Sequence, residues 1–260
     1  MIPKKIHYCW FGSGEKSKVF YQCRDSWEKY LPEYELKEWN ETNSPLEVQF
    51  VKDAIAAKKW AFVSDYIRLY ALVNEGGIYF DTDMLVLKNL DNLLSFEAFM
   101  GFESKEFVAA GILGSKTNHP FFIELLDVYE KLKFNADNLI DTTIPRVITS
   151  SLQQRGLIGY GEQTIAEVKI FPISTFYPFT LNMKHAGFSF QTAIKDDTLA
   201  IHLWDESWMN YKEKALIDYW NGNITNSIIN FLKYFLRNPF DLKAYKDFLF
   251  CIRSWMFKRS

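Results

Sequence analysis

Strand-type and helix-type segments alternate along the first 221 residues, and this alternation predicts an α/β fold. Two further observations agree with it. A composition of 48% hydrophobic and 24% charged residues over 260 positions suits one large globular domain, or one domain with an appendage. A helical pattern stopped by Gly76-Gly77 also feeds straight into the apolar, β-prone run Ile78-Tyr79-Phe80, as a helix-to-strand connection requires.

The elements follow in order. Residues 5–10 (KIHYCW) read as a strand entering the glycine turn Phe11-Gly-Ser-Gly14, and 18–31 as a helix ended by Pro32. Residues 35–39 supply a second strand. Segments 46–58 and 60–74 have helical apolar spacing, and 78–80 and 84–87 are short apolar strands on either side of Asp81-Thr82-Asp83. Further strands are expected at 98–102, 108–113, 168–171 and 199–204, with helices at 120–134, 143–154 and 208–220. Beyond them, 224–236 and 240–257 read as two amphipathic helices divided by Asn238-Pro239, where proline prevents continuation. The expected division is a domain over 1–223 and a helical tail over 224–260.

The net charge of −2 gives no field that would draw the chain to nucleic acid, yet it is an average. Residues 224–260 carry seven basic side chains against two acidic ones, a balance of +5, which leaves −7 on the preceding 223 residues. Nine of those 37 tail residues are aromatic, with Lys and Arg set among Phe, Trp and Leu. Helices of that kind suit an anionic bilayer surface. The same pattern also suits helices packed on the domain with their lysines in solvent, and both readings stand. Three cysteines at no metal-like spacing imply neither a disulfide framework nor a zinc site. With no signal-peptide pattern and no run of 18 apolar residues, the expected location is cytoplasmic, with the tail offering a peripheral attachment to the inner face of the plasma membrane.

Asp81-Thr82-Asp83 is the centre of the chemistry. Two carboxylates two residues apart in an extended segment share a face, and hard oxygen ligands suit Mg²⁺ or Mn²⁺ bridging a diphosphate. A solvated turn between strands is the competing account. Upstream, Asp65 and Arg68 lie at i, i+3 on the helix that leads into this strand; they are either an ordinary helix ion pair or part of the same cleft.

The run Ala61-Phe-Val-Ser-Asp-Tyr-Ile-Arg68, followed by Gly76-Gly77-Ile-Tyr79-Phe-Asp81-Thr-Asp83, resembles the D-x-D glycosyltransferases of family 32. Residues 2–12 (IPKKIHYCWFG) are similar to that family's opening strand, and His202-Leu-Trp-Asp-Glu-Ser207-Trp208 to its closing element, so the resemblance spans residues 2 to about 208. It implies a GT-A-type nucleotide-sugar-binding fold, a Rossmann-like mixed sheet flanked by helices, here with a C-terminal helical tail. It also implies a retaining, metal-dependent transfer of a hexosyl group from a nucleotide-sugar donor to a glycan or lipid-linked acceptor in surface polysaccharide synthesis. UDP-hexose is the first expectation for the donor and GDP-mannose the second.

Position by position, the resemblance implies Asp83 as direct metal ligand and Asp81 as ribose and metal contact. Tyr79 would lie under the nucleotide or sugar, Asp65 would accept from donor hydroxyls, and Arg68 would bind sugar or diphosphate. Trp10 would belong to the nucleotide element, although a core role fits it as well, whereas His7 beside it in the strand reads as structural. Ser207 and Trp208 would donate to the leaving diphosphate. His202 would complete the metal site, with Asp205 as the competing ligand. Asn118-His119-Pro120 is explained by a helix start. No residue is an obvious nucleophile, so front-face substitution is expected, with a diphosphate oxygen taking the acceptor's proton.

Two other classes compete. An aspartyl-nucleophile phosphatase also sets D-x-D after a strand but requires Thr or Val where this chain has Leu85. A non-catalytic sugar-binding protein would account for the aromatic residues but not for Asp65, Arg68, Asp81 and Asp83 together.

Overall fold

A computed structural model describes residues 1–135, 142–206, 211–220 and 224–257. The described chain forms two compact units, Met1–Asp205 and Glu206–Ser260.

In the first unit the elements run β1 (Lys5–Cys9), α1 (Lys18–Tyr30), β2 (Glu35–Trp39), α2 (Gln49–Ala56), α3 (Trp60–Glu75), β3 (Gly77–Phe80), β4 (Met84–Val86), β5 (Ala98–Gly101), β6 (Ile112–Ser115), α4 (Pro120–Lys131), α5 (Ile144–Gln153), β7 (Gln163–Ile165), β8 (Val168–Phe171), the short α6 (Ile173–Phe176) and α7 (Leu181–His185), and β9 (Ala200–His202). Seven strands form one mixed sheet in the order β2-β1-β3-β6-β5-β8-β7, and β4 pairs with β9 in a separate ribbon. Both β2 and β3 are parallel to β1, on its opposite sides, whereas β6 runs antiparallel to β3 and β5.

Side chains alternate across the sheet. Tyr79 and Cys9 enter a core with Phe50, Ile67, Leu72, Phe122 and Ile148 from α2 to α5, while Ile6, Ile78 and Phe80 enter a second core with Phe20 and Trp27 of α1 and the β4–β9 ribbon. Burial on both faces explains why β3 reads as an unbroken apolar run. α1 starts where the Ser17 hydroxyl accepts the Phe20 N–H. Between α3 and β3, Gly76 and Gly77 have φ of +63° and +103°, and a Cβ on Gly77 would sit 2.6 Å from the Lys5 carbonyl oxygen.

Three expectations are corrected. Asp81-Thr82-Asp83 is a tight turn closed by Met84 N–H on the Asp81 carbonyl (3.0 Å), not an extended segment. The strand expected at 108–113 begins at Ile112; Val108 makes only an isolated bridge with Phe102, because residues 109–111 detour so that Gly111 accepts the Asp81 N–H. β7 was not anticipated: it joins β8 through Ala166-Glu167, both at positive φ, a primed turn without the Asn-Gly signature that announces one. The helix α8 (Tyr211–Trp220) falls in the same compact unit as α9 (Ile224–Arg237) and α10 (Leu242–Phe257). These helices share a core of Ala215, Tyr219, Phe231 and Cys251. All three cysteines are buried and free, and no helix among the described residues is long and apolar enough to cross a membrane.

Candidate functional site

The strand order reverses about β1, which makes the carboxyl ends of β1 and β3 the topological switch point at which open α/β sheets bind ligands. Trp10 and Asp81 stand one residue past those ends. The Trp10 indole N–H donates to the Gly14 carbonyl (3.0 Å) and its ring lies against Phe20, leaving the side chain partly exposed.

The turn after β3 and the ribbon partner β9 bring three ligand-type side chains together. Asp81, Asp83 and His202 each offer an atom within 4.8 Å of the others. The register Met84↔His202 puts the imidazole beside the turn, where its Nε2 is 3.0 Å from Asp83 Oδ1. The other Asp83 oxygen accepts the Asp205 N–H (2.8 Å). That donation follows from Trp204, which is held at φ +54° with its indole on the Phe179 carbonyl. Asp205 thus contributes its backbone N–H, and its carboxylate is not part of the group of three. Burial works to raise the Asp83 carboxyl, but the charge and hydrogen bond of His202 and the Asp205 amide outweigh it and hold it below the usual range. For His202 burial works downward, and Asp83, then Asp81 and Glu103, hold the ring above its ordinary value. His202 Nδ1 is buried without a hydrogen-bond partner. Two carboxylates and an imidazole this close together are a donor set that fits a divalent cation.

Behind this group, Arg68 of α3 is 4% exposed and lies 4.6 Å from the Tyr79 ring centroid. Its guanidinium makes three hydrogen bonds and two ion pairs. Nη1 donates to the Ala110 carbonyl (2.8 Å) and meets Asp81 Oδ1 (3.1 Å), Nη2 meets Asp65 Oδ1 (3.0 Å) and the Ser64 hydroxyl, and Nε reaches the Ser64 carbonyl. Tyr79 donates its hydroxyl to the same Asp81 Oδ1 (3.0 Å), so Oδ2 is the oxygen left to a ligand. Asp65 is buried, and burial pushes its carboxyl up to about 7, against the pull of Arg68 and with a further push from Asp81.

Asp65, Arg68, Tyr79, Asp81, Asp83 and His202 therefore meet in one place, with Trp10 at the end of the neighbouring strand β1. Ser207 and Trp208 lie outside the described residues. His7 is structural: Trp39 donates to its Nδ1 (3.0 Å), so Nε2 carries the proton and donates to the Gly76 carbonyl (2.7 Å). His119 caps α4 by accepting the Phe121 N–H, with Pro120 at the first helical position. The sequence reading missed Glu103, a carboxyl raised by burial that feels both His202 and Asp81, and Tyr177, whose hydroxyl accepts the Ile112 N–H beside the site. No spacing marks either: Glu103 lies in the segment between β5 and β6, and Tyr177 reaches Ile112 from the end of α6.

Residues 17–100 match the family described as "Glycosyltransferase sugar-binding region containing DXD motif". This stretch is a family-32-type D-x-D sugar-binding region. It contains Asp65, Arg68, Tyr79, Asp81 and Asp83, while His202 and Glu103 reach the D-x-D turn from outside it. Among curated proteins, the chain is 25% identical over 146 residues to "Inositol phosphoceramide mannosyltransferase 3" of Schizosaccharomyces pombe, covering 52% of this chain and 39% of that protein. It is 40% identical over 63 residues to "Mannosyl phosphorylinositol ceramide synthase SUR1" of Saccharomyces cerevisiae, covering 24% of this chain and 16% of that one. The chain thus spans under two fifths of the length of these relatives. Among solved structures it is similar to "PaToxG Glycosyltransferase", with a TM-score of 0.50 and 22% identity over 59% of this chain and 68% of that one. The D-x-D region sits in a GT-A-like α/β fold.

Proposed function

We propose that the chain is a retaining, metal-dependent glycosyltransferase that moves a hexosyl group from a nucleotide sugar to a glycan or lipid-linked acceptor. The observation that carries this reading is the convergence of Asp81, Asp83 and His202 within 4.8 Å at the turn that gives the D-x-D region its name. These three would hold Mn²⁺ or Mg²⁺, whose charge offsets that of the departing diphosphate.

The chain's own side chains do the rest. Arg68, held between Asp65, Asp81 and the Ala110 carbonyl, acts as a positioning residue: it fixes Asp81 and Asp65, and Asp81 Oδ2 stays clear of the contacts that Arg68 and Tyr79 make to Oδ1. Asp65 accepts from donor-sugar hydroxyls at the buried end, and Trp10 borders the nucleotide at the open end. Ser207 and Trp208 donate to the diphosphate. The acceptor oxygen bonds to the anomeric carbon on the face the diphosphate leaves, the bond to the diphosphate oxygen breaks, and the acceptor's proton passes to the diphosphate. Of the two donors, a mannosyl donor is placed first, supported by the mannosyl transfer for which the fungal relatives are named. A surface polysaccharide intermediate remains the acceptor class.

The test is diphosphate release from a panel of nucleotide sugars with Mn²⁺. Chelation should abolish release and Mn²⁺ restore it, and Asp83→Ala should lower it by at least about a hundredfold. Undiminished release from the Asp83→Ala protein, or release in chelator, would overturn the reading.

A further inference from the structure

Each helix of the second unit that follows α8 has more apolar surface than its packing uses. In α10, Ala244, Phe248, Cys251 and Trp255 follow helical spacing along the face turned to the unit's core, where Phe248 meets Phe231 and Phe235. The opposite face carries a second series at the same spacing: Leu242, Lys246, Leu249, Arg253 and Met256. All five are exposed, Leu242 at 74%. In α9 the inward residues are Ser227 and Phe231, and Ile229, Leu232 and Leu236 form the outward stripe. Between the helices Phe240 is 92% exposed. A polar surface would suffice on these faces if solvent covered them.

Charge narrows what covers them. Lys246 and Arg253 interrupt the apolar series of α10, and Lys243 stands exposed beside it. The acids of this stretch are held elsewhere, Asp241 by Tyr234 and the Ala244 N–H and Asp247 by Lys212. The outward face is therefore apolar and positive. A second copy docked by two-fold symmetry would set these cations against their own counterparts. An anionic bilayer takes both features at once, with leucine and phenylalanine side chains in the acyl boundary and lysine and arginine reaching up to phosphates.

We propose that the apolar, basic outer face of α10, Leu242 to Met256, with Leu236 and Phe240 at the corner that leads into it, docks on an anionic lipid bilayer. The inference concerns the second unit alone and stands or falls separately from the transfer reaction.

The experiment is co-sedimentation of the full chain with vesicles of phosphatidylcholine alone or with phosphatidylglycerol, at low and high salt, alongside light scattering without lipid. Binding should require the anionic lipid and weaken as salt rises. Leu236→Glu with Leu242→Glu should abolish it, and Lys246→Ala with Arg253→Ala should weaken it about fivefold per charge removed. These positions are exposed, and unchanged circular dichroism and melting show that each variant folds; the salt and lipid dependence of the unaltered chain tests the proposal without any variant. Absence of binding, equal binding to neutral vesicles, or binding unaffected by the leucine substitutions would overturn it. So would a dimer in solution that Leu236→Glu dissociates, since a second copy would then cover the face.

Discussion

Arg68 donates to Ser64 and the Ala110 carbonyl and pairs its charge with Asp65 and Asp81, and in doing so ties α3, the β3 turn and the detour before β6 to one point. A lysine carries the same charge but cannot fork, so it can satisfy one carboxylate and leave the others to drift. Arg68→Lys should lower kcat about 10- to 100-fold while leaving the donor KM within about threefold, because what is lost is the orientation of Asp81 and not a contact to the donor. A large rise in KM with kcat preserved would show that Arg68 binds the donor directly. At this scale the sequence was legible where a motif concentrates residue types: Asp65, Arg68, Tyr79, Asp81 and Asp83 were all named and all meet. His202 against Asp205 was undecidable from spacing, since three residues apart both are ligand types. The strand register at Met84↔His202 and the bend at Trp204 turn one side chain and one backbone N–H toward the turn. Glu103 was illegible because a lone carboxylate after a strand has no pattern.

At the scale of elements, one imidazole joins three of them. His7 on β1 accepts from Trp39 on β2 and donates to Gly76 at the end of α3, and burial, the largest influence, pushes its pKa down from 6.5 to about 4. The folded form thus holds the neutral ring while the unfolded chain takes up a proton below pH 6.5. Stability from this group is fully present above that pH and is lost as pH falls toward about 4, at about 1.4 kcal/mol per unit and about 3 kcal/mol in all. Protonation also destroys the acceptor Trp39 needs. Urea unfolding should therefore show the unaltered chain losing about 2 kcal/mol more than His7→Gln between pH 7 and pH 5; parallel pH dependence in the two proteins would refute this account. The same junction shows why most elements were legible. Apolar runs long enough to cross a buried sheet, and a Gly-Gly stop, are local signals that tertiary packing reinforces. β7 escaped because three polar-edged residues and an Ala-Glu turn carry no such signal, and β6 was displaced because Val108 to Ala110 have strand chemistry but are recruited to the site.

For the whole molecule, the apolar clusters divide as the charge does. The two cores around the sheet draw only on residues up to Trp204, and the third only on α8 to α10, while the sequence up to Asp205 carries −6 and the remainder +4. Neutrality overall concealed this, and α8 reads from sequence as one more helix of the alternation; its packing against α9 groups it with the last two helices. Separate cores predict separable folding. A chain ended after residue 210 keeps Ser207 and Trp208, every strand and both sheet cores. It should unfold in one cooperative transition and release diphosphate from a soluble nucleotide sugar within about tenfold of the full chain, since a shared core is not being cut. The same truncated protein should lose its hold on anionic vesicles. Aggregation or non-cooperative melting of the truncated chain would mean that the second unit completes the first, and the division of labour between a transferring domain and a docking one would fail with it.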